Sequence, residues 1–214
     1  MNLWIVLVWL LASRAMAQSP AVLLDNARVR VLRVTLGPHE KMPVHSHPES
    51  VVVYVSDTHE NITTPDGKVQ EVRYNAGRTS HSIATTHAEE NLSDQPLEFV
   101  VIELKRKAAG SSTYKFPADD PVKIDSKYHT VDFENDHVRV LRTVLDPHIK
   151  APMHSHPAYV VVYLTDLHTK MSFPDGTVND NLRKKGDVAW RDALKHSTEN
   201  VGDRHAEEIQ VEMK

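Results

Sequence analysis

The chain has 214 residues, the length of one large or two small domains, with a globular composition of 40% apolar and 25% charged residues. It holds 14 histidines and no cysteine, which excludes disulfides, thiolate zinc sites, iron–sulfur clusters and a cysteine nucleophile. A net charge of −4 with neutral histidines, and only 7 glycines with none in a phosphate-cradling loop, argue against nucleic-acid and nucleotide binding.

Leu3 to Ala12 form an apolar run (LWIVLVWLLA), followed by Arg14 and then Ala15-Met16-Ala17. The run is shorter than the roughly 20 residues that span a bilayer. With its A-x-A ending it reads as a signal peptide over 1–17, cleaved before Gln18. This predicts an exported protein, periplasmic or secreted, with no membrane attachment after cleavage. An uncleaved anchor is the alternative, because no Lys or Arg precedes the run. Loss of Arg14 leaves 24 basic and 29 acidic residues, a net −5. A cysteine-free exported chain is compatible with a bacterial periplasm.

The rest is one unit written twice. Residues 26–105 align with 135–214 at a constant offset of 109, and 34 of the 80 positions are identical. Val29 to Leu36 alternates and is β-branched, Val51 to Val55 is a continuous strand run, Asp66-Gly67 is a hairpin turn, and Phe99 to Leu104 is a further strand. The second copy repeats these, with Asp175-Gly176 as its turn. Short strands with frequent turn signals predict an all-β sandwich or small barrel. The domains are then 18–105 and 135–214. A connector over 106–134, with two prolines, is long enough to include some strand of its own.

His45-Ser46-His47 stands just before a strong strand. Residues i and i+2 share one face of a strand, so both imidazoles point the same way. His87 follows behind a hairpin, and a closed barrel would bring it against the first pair. Three neutral imidazoles make a facial metal site with open positions. His154, His156 and His196 repeat the pattern although 46 of the 80 aligned positions differ. Ten of the fourteen histidines are five positions written twice, so the excess follows from the duplication.

These residues resemble the cupins, and the two modules together resemble a bicupin. The first cupin motif is Gly, five residues, His-x-His, three or four residues, Glu, six residues, Gly. The second is Gly, five residues, Pro, then His-x3-Asn. The matches are His45, His47, Gly77, His87 and Asn91, then His154, His156, Gly186, His196 and Asn200. The resemblance covers nearly the whole mature chain and implies two tandem double-stranded β-helix barrels, each with a divalent metal inside. Three positions depart from it. The metal-binding Glu falls on Val51 and Val160, the leading Gly on His39 and His148, and the second-motif Pro on Ile83 and Asp192. Glu49 stands two residues early and faces Ala158 in the other copy, so it is not taken as a ligand. A three-histidine site without carboxylate leaves the ion its full charge. That favours Fe(II), with Zn, Cu or Ni as alternatives, over Mn, and it resembles the three-histidine iron dioxygenases among the cupins more than the oxalate-handling bicupins.

Lys41 and Lys150 share strand parity with His45 and His154. They are the candidate catalytic cations, to hold an anionic substrate or stabilise an oxyanion; a solvated lysine at the barrel mouth is the alternative, since Pro43 and Pro152 interrupt the ladder. His59 and His168, beside Asp57 and Asp166, read as loop hydrogen-bond pairs. Asn91 and Asn200 are expected to orient backbone, and Tyr54 and Tyr163 to sit in the core. His81, His129, His137 and His205 have no counterpart and receive no role. The resulting expectation is an exported bicupin acting on a small oxygenated or anionic molecule through a metal, by dioxygenase-like or Lewis-acid chemistry. As an enzyme it would be an oxidoreductase, or a lyase or isomerase. The alternative is a non-catalytic metal- or ligand-binding cupin. A homo-oligomer through barrel edges is open, and no nucleic-acid partner is expected.

Overall fold

The computed structural model describes residues 19–105 and 114–214. The expected signal peptide and its cleavage point therefore lie outside the described residues. Among the described residues no helix is long and apolar enough to cross a membrane.

The first copy builds nine strands: β1 (Ala21–Asp25), β2 (Val29–Leu36), β3 (Lys41–His47), β4 (Ser50–Tyr54), β5 (Thr58–Thr63), β6 (Val69–Tyr74), β7 (Thr79–Ser82), β8 (Thr85–Asn91) and β9 (Leu97–Leu104). One helical turn follows, α1 (Pro121–Ile124), capped by the Asp120 carboxylate and started by proline. The second copy builds β10 (His129–Glu134), β11 (Val138–Leu145), β12 (His154–His156), β13 (Tyr159–Tyr163), β14 (Leu167–Ser172), β15 (Val178–Arg183), β16 (Val188–Arg191), β17 (Leu194–Asn200) and β18 (Ala206–Met213).

Each copy folds into two sheets of matching order. The first has β1-β2-β9-β4-β7 and β3-β8-β5-β6; the second has β10-β11-β18-β13-β16 and β12-β17-β14-β15. All pairings are antiparallel. This is the expected all-β architecture of two double-stranded β-helix barrels. The connector does contain a strand, β10, and it matches β1 at the same offset of 109. The structural repeat thus begins one strand before the aligned sequence. Of the five residues of β1, only Val22 matches its counterpart, Val131.

The two five-stranded sheets pack face to face. Val29, Val31, Val51, Val53 and Ile102 join Val138, Val140, Val160, Val162 and Val211 in one continuous buried core. The opposite faces of the same strands line each barrel, through Leu32, Val34, Tyr54, Phe99 and Val101 in the first and Leu145, Val161 and Tyr163 in the second. Burial on both faces explains why β4 and β13 read as unbroken Val runs rather than alternating ones.

Polar contacts frame this core with the same symmetry. Arg33 Nη2 donates to the Gly186 carbonyl (2.5 Å), and Arg142 Nη2 donates to the Gly77 carbonyl (2.6 Å). Each arginine also pairs with a glutamate of its own module, Glu98 (3.2 Å) or Glu207 (2.5 Å). Gly77 and Gly186 hold φ of +84° and +86° and turn their carbonyls into the other module. Glu49, set aside as a ligand, accepts from His81 (2.9 Å) and His137 (2.8 Å) and so ties the modules together.

A Cβ on Gly186 would lie 3.3 Å from Glu98 Oε1, whereas one on Gly176, at φ +85°, would meet nothing within 4 Å. Gly176→Ala therefore reports the left-handed backbone cost alone, about 1–2 kcal/mol. Gly186→Ala should cost more, because it also crowds the Arg33–Glu98 pair; urea unfolding midpoints of the two variants test the difference, and equal losses would remove the inter-module role.

Candidate metal centres

Antiparallel pairing places His45 directly opposite His87, and His154 directly opposite His196. His47 and His156 lie two residues along on the same face. In the first module the ring centroids of His45 are 4.9 Å from His47 and 4.6 Å from His87. In the second the corresponding distances from His154 are 4.8 and 4.6 Å. In each triad one nitrogen per ring lies within 4.8 Å of the others.

On His45, His47, His154 and His156 the Nδ1 atom is already engaged. His45 and His154 meet the carbonyls of Pro43 (2.9 Å) and Pro152 (2.8 Å). His47 and His156 meet the carboxylates of Glu103 (2.8 Å) and Glu212 (2.7 Å). As acceptors these oxygens fix the tautomer with the proton on Nδ1, and turn the Nε2 lone pair inward. Nε2 of His87, His156 and His196 is buried without a hydrogen-bond partner. Orphaned buried nitrogens are rare; one stands in the first triad and two in the second, and a bound cation in each barrel would satisfy them. Burial holds His45 and His154 below the ordinary imidazole value, drives His156 well below it, and takes His196 down to about 2. Such imidazoles are neutral, the form that binds metal. The residues present therefore fit a divalent ion in each module.

Lys41 and Lys150 are not part of either centre. A bulge between Met42 and His45 inserts one extra residue into β3, and Lys150 and His154 are offset in the same way against β17. The insertion reverses strand parity. Met42 joins the histidines inside, while Lys41 turns outward to Glu90 (2.9 Å) and Lys150 toward Glu199 (4.0 Å), with side chains 60% and 56% exposed. The interior position expected from regular alternation is thus corrected, and the solvated alternative holds.

His59 and His168 pair across strands with Glu71 (2.7 Å) and Asp180 (2.9 Å), not with Asp57 and Asp166. His39 and His148 occupy the turn before β3 or its counterpart at φ +56° and +61°, the left-handed conformation that the leading Gly of the motif would adopt freely. Asn91 Nδ2 donates to the carbonyls of Leu36, Gly37 and Gln95, and Asn200 Nδ2 to those of Leu145, Asp146 and Arg204, orienting backbone as expected. Val51 and Val160 face the opposite module. Their barrel-facing neighbours Val52 and Val161 are apolar too, so these strands supply no carboxylate to either centre.

The interiors differ in ways the motifs did not show. In the first barrel Leu97, Phe99 and Val101 stand where the second has Ala206, Glu208 and Gln210. Larger apolar side chains fill the first; the second keeps a cavity lined by His129, His154, His196, Thr169, Thr198 and Gln210, with room for about one water. His129 comes from the connector, is 2% exposed, and its ring centre lies 4.9 Å from that of His154; burial lowers it to about 3. The same connector covers this module. Arg139 pairs with Asp120 (2.5 Å) and Glu212 (2.7 Å), Lys195 pairs with Asp119 (2.8 Å), and Asp119 Oδ2 accepts from Ser155 Oγ (2.9 Å). In the first module Arg30 reaches Glu103 at 3.5 Å from a more open position. There two buried glutamates, Glu60 and Glu89, face the barrel where the second module has Thr169 and Thr198. The His87-x-Glu89 spacing carried a period-2 signal for one of them; His129 left no local signal.

No family model matches the chain, and no curated protein matches it in sequence. Solved structures share its fold. AerE from Microcystis aeruginosa is 11% identical, with a TM-score of 0.63, over 93% of this chain and 99% of that one. Oxalate decarboxylase from Bacillus subtilis is 12% identical, with a TM-score of 0.59, over 88% and 69%. Salicylate 1,2-dioxygenase from Pseudoaminobacter salicylatoxidans is 10% identical, with a TM-score of 0.58, over 87% and 72%. The chain is a bicupin in fold, carrying a histidine triad in each barrel.

Glu60 allows a pH test. Burial first, and then the Glu89 charge, push it up from 4.5 to about 8. The folded chain therefore holds this proton while the unfolded chain releases it, so Glu60 costs stability progressively as pH rises through that window. Metal-free Glu60→Gln should gain on the native chain between pH 4.5 and 8, by up to about 1.4 kcal/mol per unit. Denaturant unfolding across that range checks it, and a pH-independent difference would show that Glu60 ionises freely.

Proposed function

We propose that the protein is an exported, metal-dependent bicupin that binds a small oxygenated or anionic molecule at a divalent ion, with Fe(II) the first candidate and Zn, Cu or Ni the alternatives. The observation that carries this reading is the convergence of three imidazoles in each barrel, two of them in each held through Nδ1 by a carbonyl or a carboxylate.

The second module is the reactive one in this reading. His154, His156 and His196 would hold the ion, which supplies Lewis-acid polarisation or, as iron, dioxygen activation. Glu212 accepts from His156 Nδ1, which makes that ligand more basic and fixes its ring plane. Arg139 and Asp120 hold Glu212 and bring the connector over the barrel, so that bulk water is kept from the cavity. Thr169, Thr198, Gln210 and His129 line the cavity and offer hydrogen bonds to a water-sized group beside the triad. Two of the structures that share the fold are named for oxalate and salicylate, both small oxygen-rich anions, which supports that substrate class. For the first module the bulkier apolar lining favours the second reading, a non-catalytic metal site.

Elemental analysis of protein never exposed to chelator should give close to two metal ions per chain, one for each triad. His45→Ala and His154→Ala should each remove one, and His59→Ala neither. Metal-free protein would overturn the reading. Oxygen uptake after anaerobic Fe(II) loading with a panel of small acids then separates oxygenase from binder. N-terminal sequencing of the exported form should begin at Gln18; a start at Met1 would remove the export step alone.

A further inference from the structure

The first module has a group that its partner lacks. Glu89 follows His87 by two residues on β8, so both side chains enter the barrel from one face. Its Oε1 lies 3.3 Å from His87 Nε2, which has no hydrogen-bond partner. Two cis ligands bound to one ion at about 2.1 Å stand about 3.0 Å apart in an octahedron and about 3.4 Å apart in a tetrahedron. The observed separation falls between these. Glu89 is 7% exposed, and its Oε2 has no hydrogen-bond partner. A buried carboxylate oxygen without a donor is costly, and a cation at the triad would remove that cost.

The second module treats the equivalent position differently. Thr198 stands there, and its hydroxyl contacts His196 Nδ1 (3.3 Å). The carboxylate lining that cavity, Glu208, is tied to Gln210 (2.7 Å). The extra group beside the second triad is the imidazole of His129. The first triad therefore has a carboxylate beside one of its three rings, and the second has a further imidazole instead.

We propose that Glu89 is the fourth ligand of the ion in the first module, and that the two modules hold different metals: an oxygen-preferring ion of the Mn(II) type in the first, and a nitrogen-preferring ion in the second. Carboxylate oxygen suits Mn(II), whereas sites of imidazole alone suit zinc, copper, iron and nickel. This rests on the three-imidazole metal reading above and refines it module by module.

Two single-site proteins test it. His154→Ala with His196→Ala leaves the first centre, and His45→Ala with His87→Ala leaves the second. Each is titrated with Mn(II), followed by loss of the free-ion electron paramagnetic resonance signal, and separately with Zn(II) by calorimetry. The first-centre protein should bind one Mn(II), and the second-centre protein should bind it about tenfold more weakly or worse. Adding Glu89→Gln to the first-centre protein should weaken Mn(II) by about tenfold or more and Zn(II) much less. Glu90→Gln, on the outer face, should change neither. Adding Thr198→Glu to the second-centre protein should create Mn(II) binding, which keeps the test decisive if Glu89→Gln does not fold. Unchanged Mn(II) affinity in a folded Glu89→Gln protein, equal Mn(II) affinity at the two centres, or no gain from Thr198→Glu would overturn the proposal while leaving the metal reading intact. Failure of both single-site proteins to bind any divalent ion would overturn the metal reading, and this proposal with it.

Discussion

Two five-stranded sheets, each apolar on both faces, press against one another, and much else in the molecule follows from that contact. A sheet buried on both sides cannot bend away from its barrel without opening the inter-module core. It therefore acts as a rigid floor for each four-stranded sheet, which carries the histidines. The interface also sets which residues are free to vary. Val51 and Val53 serve the partner module, and Val52 and Tyr54 serve their own barrel, so the whole strand stays apolar and any acidic ligand must enter from another strand. Gly77 and Gly186 belong to the same constraint: their left-handed backbone turns a carbonyl toward an arginine of the other module. A module alone would expose the Val faces and leave these donors and acceptors unpaired.

The centres are held from behind by buried polar groups. A buried carboxylate carries a large desolvation cost. At Glu212 that cost is met by Arg139 and His156, and burial still raises its proton affinity to about 7. Arg139 in turn requires Asp120, and Asp120 caps α1 in the connector. The chain of contacts runs from the ligand ring outward to the segment that closes the barrel. In the first module Arg30 has no counterpart to Asp120 among the described residues, and His45 and His87 remain partly open. The difference in access between the centres thus traces to one ion-pair network, not to the triads, which are nearly superimposable in their internal distances.

What was legible in the sequence was what obeys a period. The duplication, the β class, the Val runs and both triads rest on period-2 placement or on repetition at a fixed offset, and neither needs tertiary information. The lysines failed because one inserted residue in a strand reverses every face beyond it, and a bulge beside Pro43 has no signature in alternation. β1 and β10 escaped the repeat because edge strands are held mainly by backbone hydrogen bonds, which leave side chains free to diverge. His81, His129 and His137 carried no local pattern because their partners lie on other strands or in the other module: Glu49 for two of them, His154 for the third. Glu60 was unreadable as a buried acid, since charged residues on alternating strands ordinarily face water.

Duplication has therefore preserved the ligands and released the walls. Each barrel keeps three imidazoles, the Nδ1 acceptors behind two of them and the asparagine that ties its turns. The positions around them differ between the two barrels. The first module has Leu97, Phe99 and Val101 with the buried acids Glu60 and Glu89; the second has Ala206, Glu208 and Gln210 around a polar cavity that His129 of the connector also lines. In the first barrel the bulk of Leu97, Phe99 and Val101 packs against the strand that carries Met42 and the histidines. The same fold and the same triad can accordingly settle into two different chemical environments within one chain, because the sheet-to-sheet core keeps both barrels rigid while their linings diverge.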